Sequence, residues 1–224
     1  MDKLLLWMPI FTSVLSEAFS QTDLYSKVFV FPRESETDHV KLTPRLEKPL
    51  QNFTLCFRTY SDLSRSHSLF SYSVKGRDNE LLIYKEKVGE YSLYIGQSKV
   101  TVRGMEEYLS PVHLCTTWES SSGIVEFWVN GKALVKKSLQ KEYTVKAPPS
   151  IVLGQEQDSY GGGFQRSQSF VGEFADLYMW DYVLTPQDIL LVYRGSPINP
   201  NILNWQALNY EINGYVVIRP RVWD

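Results

Sequence analysis

Several features that mark common functional classes are scarce in this sequence. Its 224 residues include only two cysteines and three histidines, which excludes a disulfide-dense scaffold and a cysteine-rich zinc domain. An excess of charge of one sign is also lacking. The 23 basic and 25 acidic residues give a formal net charge of −2, so there is no overall electrostatic reason to bind nucleic acid or an anionic membrane. Any anionic partner must therefore be held by a local site.

The amino terminus has the pattern of a secretory signal peptide. Lys3 precedes an apolar run at residues 4–11, and the small residues Ala18 and Ser20 are typical of a cleavage site. The run is too short for a transmembrane helix, and no other segment approaches about 18 consecutive apolar residues. We expect residues 1–20 to be a signal peptide and residues 21–224 to form one domain. The mature protein is expected to be secreted and extracellular, without membrane insertion.

Short β-forming segments are abundant. Segments rich in β-branched or aromatic residues, separated by polar or glycine-containing turns, occur at residues 28–31, 53–57, 68–72, 80–84, 91–95, 112–118 and 124–129. Closing strands are predicted at residues 202–205, 215–218 and 222–223. A helix is predicted with Thr185 as N-cap, Pro186 at its first position and Gly195 after its end. The prediction is an all-β, two-sheet antiparallel sandwich with one short α-helix on a sheet face.

Two covalent features follow from single residues. Cys56 and Cys115 in an oxidising compartment predict one disulfide, which would close a loop of roughly 60 residues and stabilise the fold by roughly 4 kcal/mol in the chain-entropy model. Two free thiols or an intermolecular bridge are the alternatives. Asn52-Phe53-Thr54 is the only acceptor triplet for N-glycosylation in the sequence, so Asn52 is predicted to be a surface residue that carries a glycan.

An acidic, glycine-containing segment at residues 155–168 indicates a calcium loop. It follows a short apolar run, and Glu156 and Asp158 stand two residues apart, which in extended backbone places both carboxylates on one face. Calcium takes six to eight oxygen ligands, and Gln168 beyond the glycines could supply another. The alternative is an ordinary solvated turn, because the segment lacks an EF-hand pattern.

The segment from His113 to Ser120 identifies a family resemblance. His113-Leu114-Cys115-Thr116-Thr117-Trp118-Glu119-Ser120 has the form His-x-Cys-x-Ser/Thr-Trp-x-Ser/Thr and resembles the signature of the pentraxins. Other similar blocks are residues 27–32, the Gly131 hairpin, residues 154–162 and residues 205–211. The resemblance implies a flattened, lectin-like jelly-roll subunit, a cyclic homopentamer and two Ca²⁺ ions on one face of every subunit.

The resemblance also implies specific site residues. The family's calcium ligands correspond to Asp78, Asn79, Glu156, the backbone carbonyl of Gln157, Asp158 and Gln168. Leu82, Tyr84 and Tyr94 correspond to a small apolar pocket beside the ions, so the implied ligand-binding residues are Leu82, Tyr84, Tyr94, Asn79 and Gln168. Without the resemblance, the three pocket residues would be read as ordinary exposed strand residues. Lys99 stands where one branch of the family has the acidic residue that faces choline, so selection of choline is not expected.

The function implied is calcium-dependent pattern recognition in innate immunity. The implied partners are phosphate monoesters such as phosphoethanolamine, pyruvylated or sulfated glycans, glycosaminoglycans, chromatin or DNA, amyloid fibrils and complement C1q. One alternative is a phosphocholine-binding acute-phase protein, and another is a structural extracellular glycoprotein that calcium only stabilises. An enzyme is not expected. Glu156 and Asp158 could imitate the carboxyl pair of a glycosidase, but glycoside hydrolysis needs one of the two carboxyl groups to be protonated, and calcium bound to both would keep them ionised.

Overall fold

The computed structural model describes residues 23–224, and the predicted signal peptide lies outside the described residues. The described chain forms sixteen strands and one α-helix. The strands are β1 Lys27–Phe31, β2 His39–Leu42, β3 Asn52–Tyr60, β4 His67–Val74, β5 Arg77–Lys87, β6 Glu90–Ile95, β7 Ser98–Arg103, β8 Val112–Glu119, β9 Ile124–Val129, β10 Lys132–Ala133, β11 Lys137–Ser138, β12 Ser150–Leu153, β13 Gly172–Trp180, β14 Leu203–Asn204, β15 Tyr210–Asn213 and β16 Val217–Pro220, and the helix is α1 Pro186–Tyr193.

The strands form two antiparallel sheets, as predicted. The first sheet has the order β10-β9-β8-β3-β13-β1-β16, with β11 paired to β9 and β14 paired to β13. The second has the order β15-β2-β12-β4-β5-β6-β7. Hairpin neighbours such as β4-β5-β6-β7 and β8-β9-β10 combine with neighbours from distant parts of the chain, such as β3 with β13 and β12 with β4, and this mixture is the connectivity of a jelly roll. None of the helices within residues 23–224 is long and apolar enough to span a bilayer.

Large aromatic residues fill the core between the sheets. Trp118, Trp180 and Trp205 are fully buried, and each indole N–H donates to a backbone carbonyl, with N···O distances of 2.8, 2.6 and 2.8 Å. The N–H of a buried tryptophan usually has a hydrogen-bond partner. These three tryptophans are therefore core residues.

The disulfide joins two neighbouring strands of the first sheet. Cys56 in β3 lies directly opposite Cys115 in β8, and the two residues are bonded and fully buried. The intramolecular bridge predicted from the cysteine count is confirmed. His113, two residues earlier, is also buried, and desolvation lowers its pKa to about 3. Its position within the core agrees with a structural role.

The sequence does not predict strand β13, which lies between β3 and β1 in the interior of the first sheet. Its pairing with β3 shifts register between Ala175 and Tyr178, and Asp176 in this irregular stretch has a φ of 52°. A β-bulge changes which residues face the core, so the alternation of apolar and polar residues is interrupted. The Asp176 carboxylate forms an ion pair with Arg58 of β3 at 3.2 Å and accepts a hydrogen bond from Arg221, and these contacts compensate for a charge inside the sheet.

Helix α1 covers part of the first sheet and begins where the sequence predicts. The hydroxyl oxygen of Thr185 accepts from the Asp188 amide at 3.2 Å, and Pro186 occupies the first helical position. Ile189 is buried, and Arg58 of β3 donates to the Tyr193 carbonyl at 2.5 Å. The helix therefore lies against a sheet face, as predicted.

Candidate metal centre

The segment between β12 and β13 leaves and re-enters the core at one point. Gly154 has a φ of +90°, and a β-carbon there would lie 2.2 Å from the Phe31 ring, so only glycine fits. The Phe170 amide donates to the Gly154 carbonyl at 3.0 Å, and the buried Phe170 ring packs edge-on against Phe31 with centroids 5.5 Å apart. The loop at residues 155–169 is therefore closed at its base independently of any ligand.

Two glutamines attach the first part of the loop to the protein. The amide nitrogen of Gln155 donates to the carbonyls of Ser35 and Asp38 at 2.8 and 3.1 Å. The amide nitrogen of Gln157 donates to the carbonyls of Ser71 and Ser150 at 3.1 and 3.0 Å. Both glutamines are fully buried. Because the Gln157 side chain is used for these bonds, its backbone carbonyl is the group left for the ligand role implied by the resemblance.

Glu156, between these glutamines, belongs to an acidic cluster drawn from two segments. It is only 2% exposed, and burial followed by the negative charge of Asp158 raises its pKa to about 7. A hydrogen bond from the Asn79 side chain acts in the opposite direction, and the charge of Asp78 adds to the rise. The β4–β5 hairpin thus brings Asp78 and Asn79 to Glu156.

Three of the predicted ligands carry buried oxygen atoms without a hydrogen-bond partner. These atoms are Asn79 Oδ1, Glu156 Oε2 and Gln168 Oε1. Buried polar atoms in folded proteins almost always have a partner, so each exception calls for an explanation. A hard cation coordinated by carboxylate and amide oxygens provides one. The residues present therefore fit calcium.

The carboxylates in this cluster are not tightly packed. Within residues 23–224, only Cys56, His113 and Cys115 form a group of three or more Cys, His, Asp or Glu whose ligand atoms lie within 4.8 Å of one another. The two cysteines are bonded to each other and offer no thiolate, so that group is not a metal site. The acidic cluster contains repelling carboxylates, and Asp158 is hydrogen-bonded to the Gln165 amide. Two amide oxygens, from Asn79 and Gln168, complete the set of oxygen atoms that could coordinate a metal ion.

The three residues of the predicted apolar pocket lie on β5 and β6, which are neighbours in the second sheet. Leu82 pairs with Ser71 of β4 on one side and with Tyr94 of β6 on the other. The Ser71 hydroxyl accepts from the backbone N–H of Gln157 at 3.1 Å. Leu82 is 3% exposed, so it is not an ordinary exposed strand residue. Burial raises the pKa of Tyr84, a hydrogen bond with Ser66 opposes the rise, and the Glu156 carboxylate adds to it.

Lys99 lies at the far side of this pocket with two partners of its own. Its ammonium nitrogen is 5.4 Å from the centroid of the Tyr94 ring and 3.1 Å from the Glu86 carboxylate. Ser92 also donates to Glu86, at 2.7 Å. The positive charge of Lys99 is therefore partly neutralised by Glu86. The sequence does not predict this role of Glu86, because no sequence pattern connects Glu86 to Lys99.

The remaining predicted site residue lies away from the metal centre. Asn52 is the first residue of β3 and is half-buried, while the hydroxyl of Thr54 in the same triplet is buried and donates to the Tyr182 carbonyl at 2.7 Å. Glycosylation of Asn52 stays a prediction.

Glu80, which follows Asp78 and Asn79, is a structural residue: it accepts from the Lys146 amide at 2.6 Å and from the Tyr143 hydroxyl at 3.0 Å.

Comparison with known proteins agrees with this arrangement. The model of the Pentaxin family matches residues 27–220. The chain is 92% identical over 224 residues to serum amyloid P-component of Mus musculus and 69% identical over 223 residues to that of Homo sapiens, and in both cases 100% of each chain is covered. A native heptameric SAP-like pentraxin from Limulus polyphemus has the same fold, with a TM-score of 0.76 at 23% identity over 88% of this chain and 96% of that chain. The chain therefore belongs to the pentraxin (pentaxin) family of non-enzymatic, pattern-recognition proteins.

Proposed function

We propose that this protein binds anionic ligands in the extracellular space through a two-calcium site on each subunit. The observation that carries the proposal is the set of buried, unpartnered oxygens of Asn79, Glu156 and Gln168. The family is calcium-binding. Asp78, Asp158 and the Gln157 carbonyl would supply further ligands. Two calcium ions beside three carboxylates leave a net positive charge, which attracts a phosphate, sulfate or carboxylate.

The surroundings of the site favour a ligand with a small cationic or apolar end. A quaternary ammonium is recognised through aromatic faces and acidic groups, but the Lys99 ammonium already lies over the Tyr94 ring and against Glu86. A primary ammonium can instead donate hydrogen bonds to nearby oxygens. We therefore propose that phosphoethanolamine is preferred to phosphocholine, and that the pocket of Leu82, Tyr84 and Tyr94 also accepts the methyl group of a pyruvylated sugar.

Polymeric ligands require several such sites on one face of an assembly. We propose a cyclic homopentamer, in which weak sites combine to bind sulfated glycans, glycosaminoglycans, chromatin or DNA, and amyloid fibrils. Two surfaces are candidates for contact between neighbouring subunits. One is the exposed Val135 with the exposed Lys136 and Lys137 that follow it, and the other is a cavity lined by Leu109, Asp62 and Glu173. Such a ring would also offer repeated sites to complement C1q.

Calorimetric titration of the purified protein tests the proposal. We expect phosphoethanolamine to bind in calcium, more tightly than phosphocholine, and neither to bind in EDTA. Lys99→Glu should raise the affinity for phosphocholine, while Lys87→Glu, at an exposed position with its own partner Glu90 at 3.7 Å, should leave it unchanged. Binding that persists in EDTA, or equal affinities for the two ligands in the wild type, would contradict the proposal.

A further inference from the structure

The guanidinium group of Arg65 lies against the turn that carries Gln168. One terminal nitrogen, Nη1, donates to the backbone carbonyls of Ser167 and Ser169 at 3.1 and 2.8 Å. The same nitrogen donates to the Ser66 carbonyl at 3.2 Å, and Nη2 lies 3.4 Å from the Ser169 hydroxyl oxygen. The two carbonyls on either side of Gln168 are therefore held by a single side chain from the segment between β3 and β4.

The backbone around Gln168 is fixed further by its own turn. Residues Arg166–Gln168 form a 3₁₀ helix, and the Ser169 hydroxyl donates to the Arg166 carbonyl at 2.7 Å. Ser169 is 1% exposed, and Phe170 is anchored in the core. The Gln168 side chain leaves this fixed backbone, and its Oε1 atom is buried without a partner. The position of that oxygen thus depends on the turn that Arg65 holds.

An arginine suits this task because its planar group donates in several fixed directions at once. While Nη1 faces the carbonyls, Nε donates to the Glu34 carboxylate at 2.9 Å. We propose that Arg65 is a positioning residue, a role that rests on the proposed calcium site. Arg65 holds the Ser167 and Ser169 carbonyls so that the Gln168 amide oxygen is presented to the metal. Residues that orient metal ligands typically change metal affinity by about 10- to 100-fold when they are removed.

A simpler role for Arg65 is a surface ion pair with Glu34. The Glu34 side chain is 50% exposed, and exposed ion pairs contribute little. The two roles predict different effects, because Glu34→Gln removes the ion pair and keeps the carbonyl contacts. Arg103→Gln is a matched control: Arg103 makes a similar pair with Glu90 at 2.7 Å, but its side chain is 81% exposed and lies in β7.

The test measures calcium affinity by calorimetry and backbone amide exchange in EDTA. We expect Arg65→Gln to lower calcium affinity by about tenfold, Arg65→Lys to lower it less, and Glu34→Gln and Arg103→Gln to leave it within about twofold. In EDTA, the amides of residues 168–170 in Arg65→Gln should exchange about tenfold faster while those of β4 and β13 are unchanged. Arg65→Lys keeps one carbonyl contact and provides the same readouts if Arg65→Gln does not fold.

Each outcome separates the two claims. Wild-type calcium affinity in both Arg65 variants, or faster exchange throughout the sandwich, overturns the positioning role. An effect of Glu34→Gln equal to that of Arg65→Gln assigns the contribution to the ion pair and also overturns it. Absence of saturable calcium binding by the wild type overturns the proposed function instead, while the exchange measurement in EDTA still decides whether Arg65 holds the turn.

Discussion

Replacing Glu156 by glutamine should change stability in opposite directions without and with calcium. In the metal-free protein this carboxyl is buried beside Asp158, and its pKa is raised from 4.5 to about 7. A carboxyl whose pKa is raised on folding contributes stability below its unfolded-state pKa, and this contribution is lost as the pH rises through the folded-state value. At pH 8 the rise corresponds to a destabilisation of at most about 3 kcal/mol. Glutamine has nearly the same shape and no charge.

We therefore expect Glu156→Gln in EDTA at pH 8 to increase the free energy of unfolding by about 1–3 kcal/mol, and the gain to vanish as the pH falls to about 4.5. Calcium at 100 times its dissociation constant stabilises a protein by roughly 2.7 kcal/mol per site, and the variant should lose much of this gain. The assay is urea unfolding followed by tryptophan fluorescence at fixed protein concentration.

The exposed substitution Glu47→Gln serves as a control and should change neither quantity. The reasoning is refuted if Glu156→Gln is less stable than the wild type in EDTA at pH 8. It is refuted equally if calcium stabilises the variant as much as the wild type, because Glu156 would then be neither a repelled carboxylate nor a metal ligand.

Three further predictions concern the loop, the disulfide and the glycan. A protease of broad specificity should cut within the mostly exposed residues 158–163 in EDTA and much more slowly in calcium, and the double variant Glu156→Gln/Asp158→Asn should remain cleavable in calcium; equal cleavage of the wild type in both buffers would count against the site. Replacing Cys56 and Cys115 by alanine should lower the free energy of unfolding by about 2–5 kcal/mol, measured by urea unfolding, and an unchanged midpoint would contradict a stabilising bridge. Peptide N-glycosidase should reduce the mass of the secreted protein, and Asn52→Gln should show no such reduction; a glycan that persists in Asn52→Gln would place it elsewhere.

The covalent and local features of the fold could be predicted from the sequence because each is determined by nearby residues. The disulfide follows from having two cysteines, and the helix start follows from Thr185 and Pro186. Strand β13 could not be found this way, because the bulge at Asp176 interrupts its alternation. Its central place in the sheet depends on pairing with β1 and β3, which are more than 100 residues away in the sequence.

The candidate site divides in the same way. The spacing of Glu156 and Asp158 by itself allows a cation site or a solvated turn. Nothing local connects these residues to Asp78 and Asn79, and only the family resemblance did so. The loop also contains glutamines whose roles the sequence does not distinguish. Gln155 and Gln157 turn inward and donate to backbone carbonyls, and both Gln155 and Gln168 have a buried amide oxygen without a hydrogen-bond partner. Which role each takes depends on Ser71, Ser150 and Arg65, which lie on other segments.

The number of calcium ions bound per chain tests the central claim most directly. Metal-stripped protein is titrated with calcium in a calorimeter, alongside the Glu156→Gln/Asp158→Asn variant. The site described here predicts two ions per wild-type chain and a large loss of binding in the variant. Absence of saturable binding by the wild type, or the same stoichiometry and affinity in the variant, would contradict it.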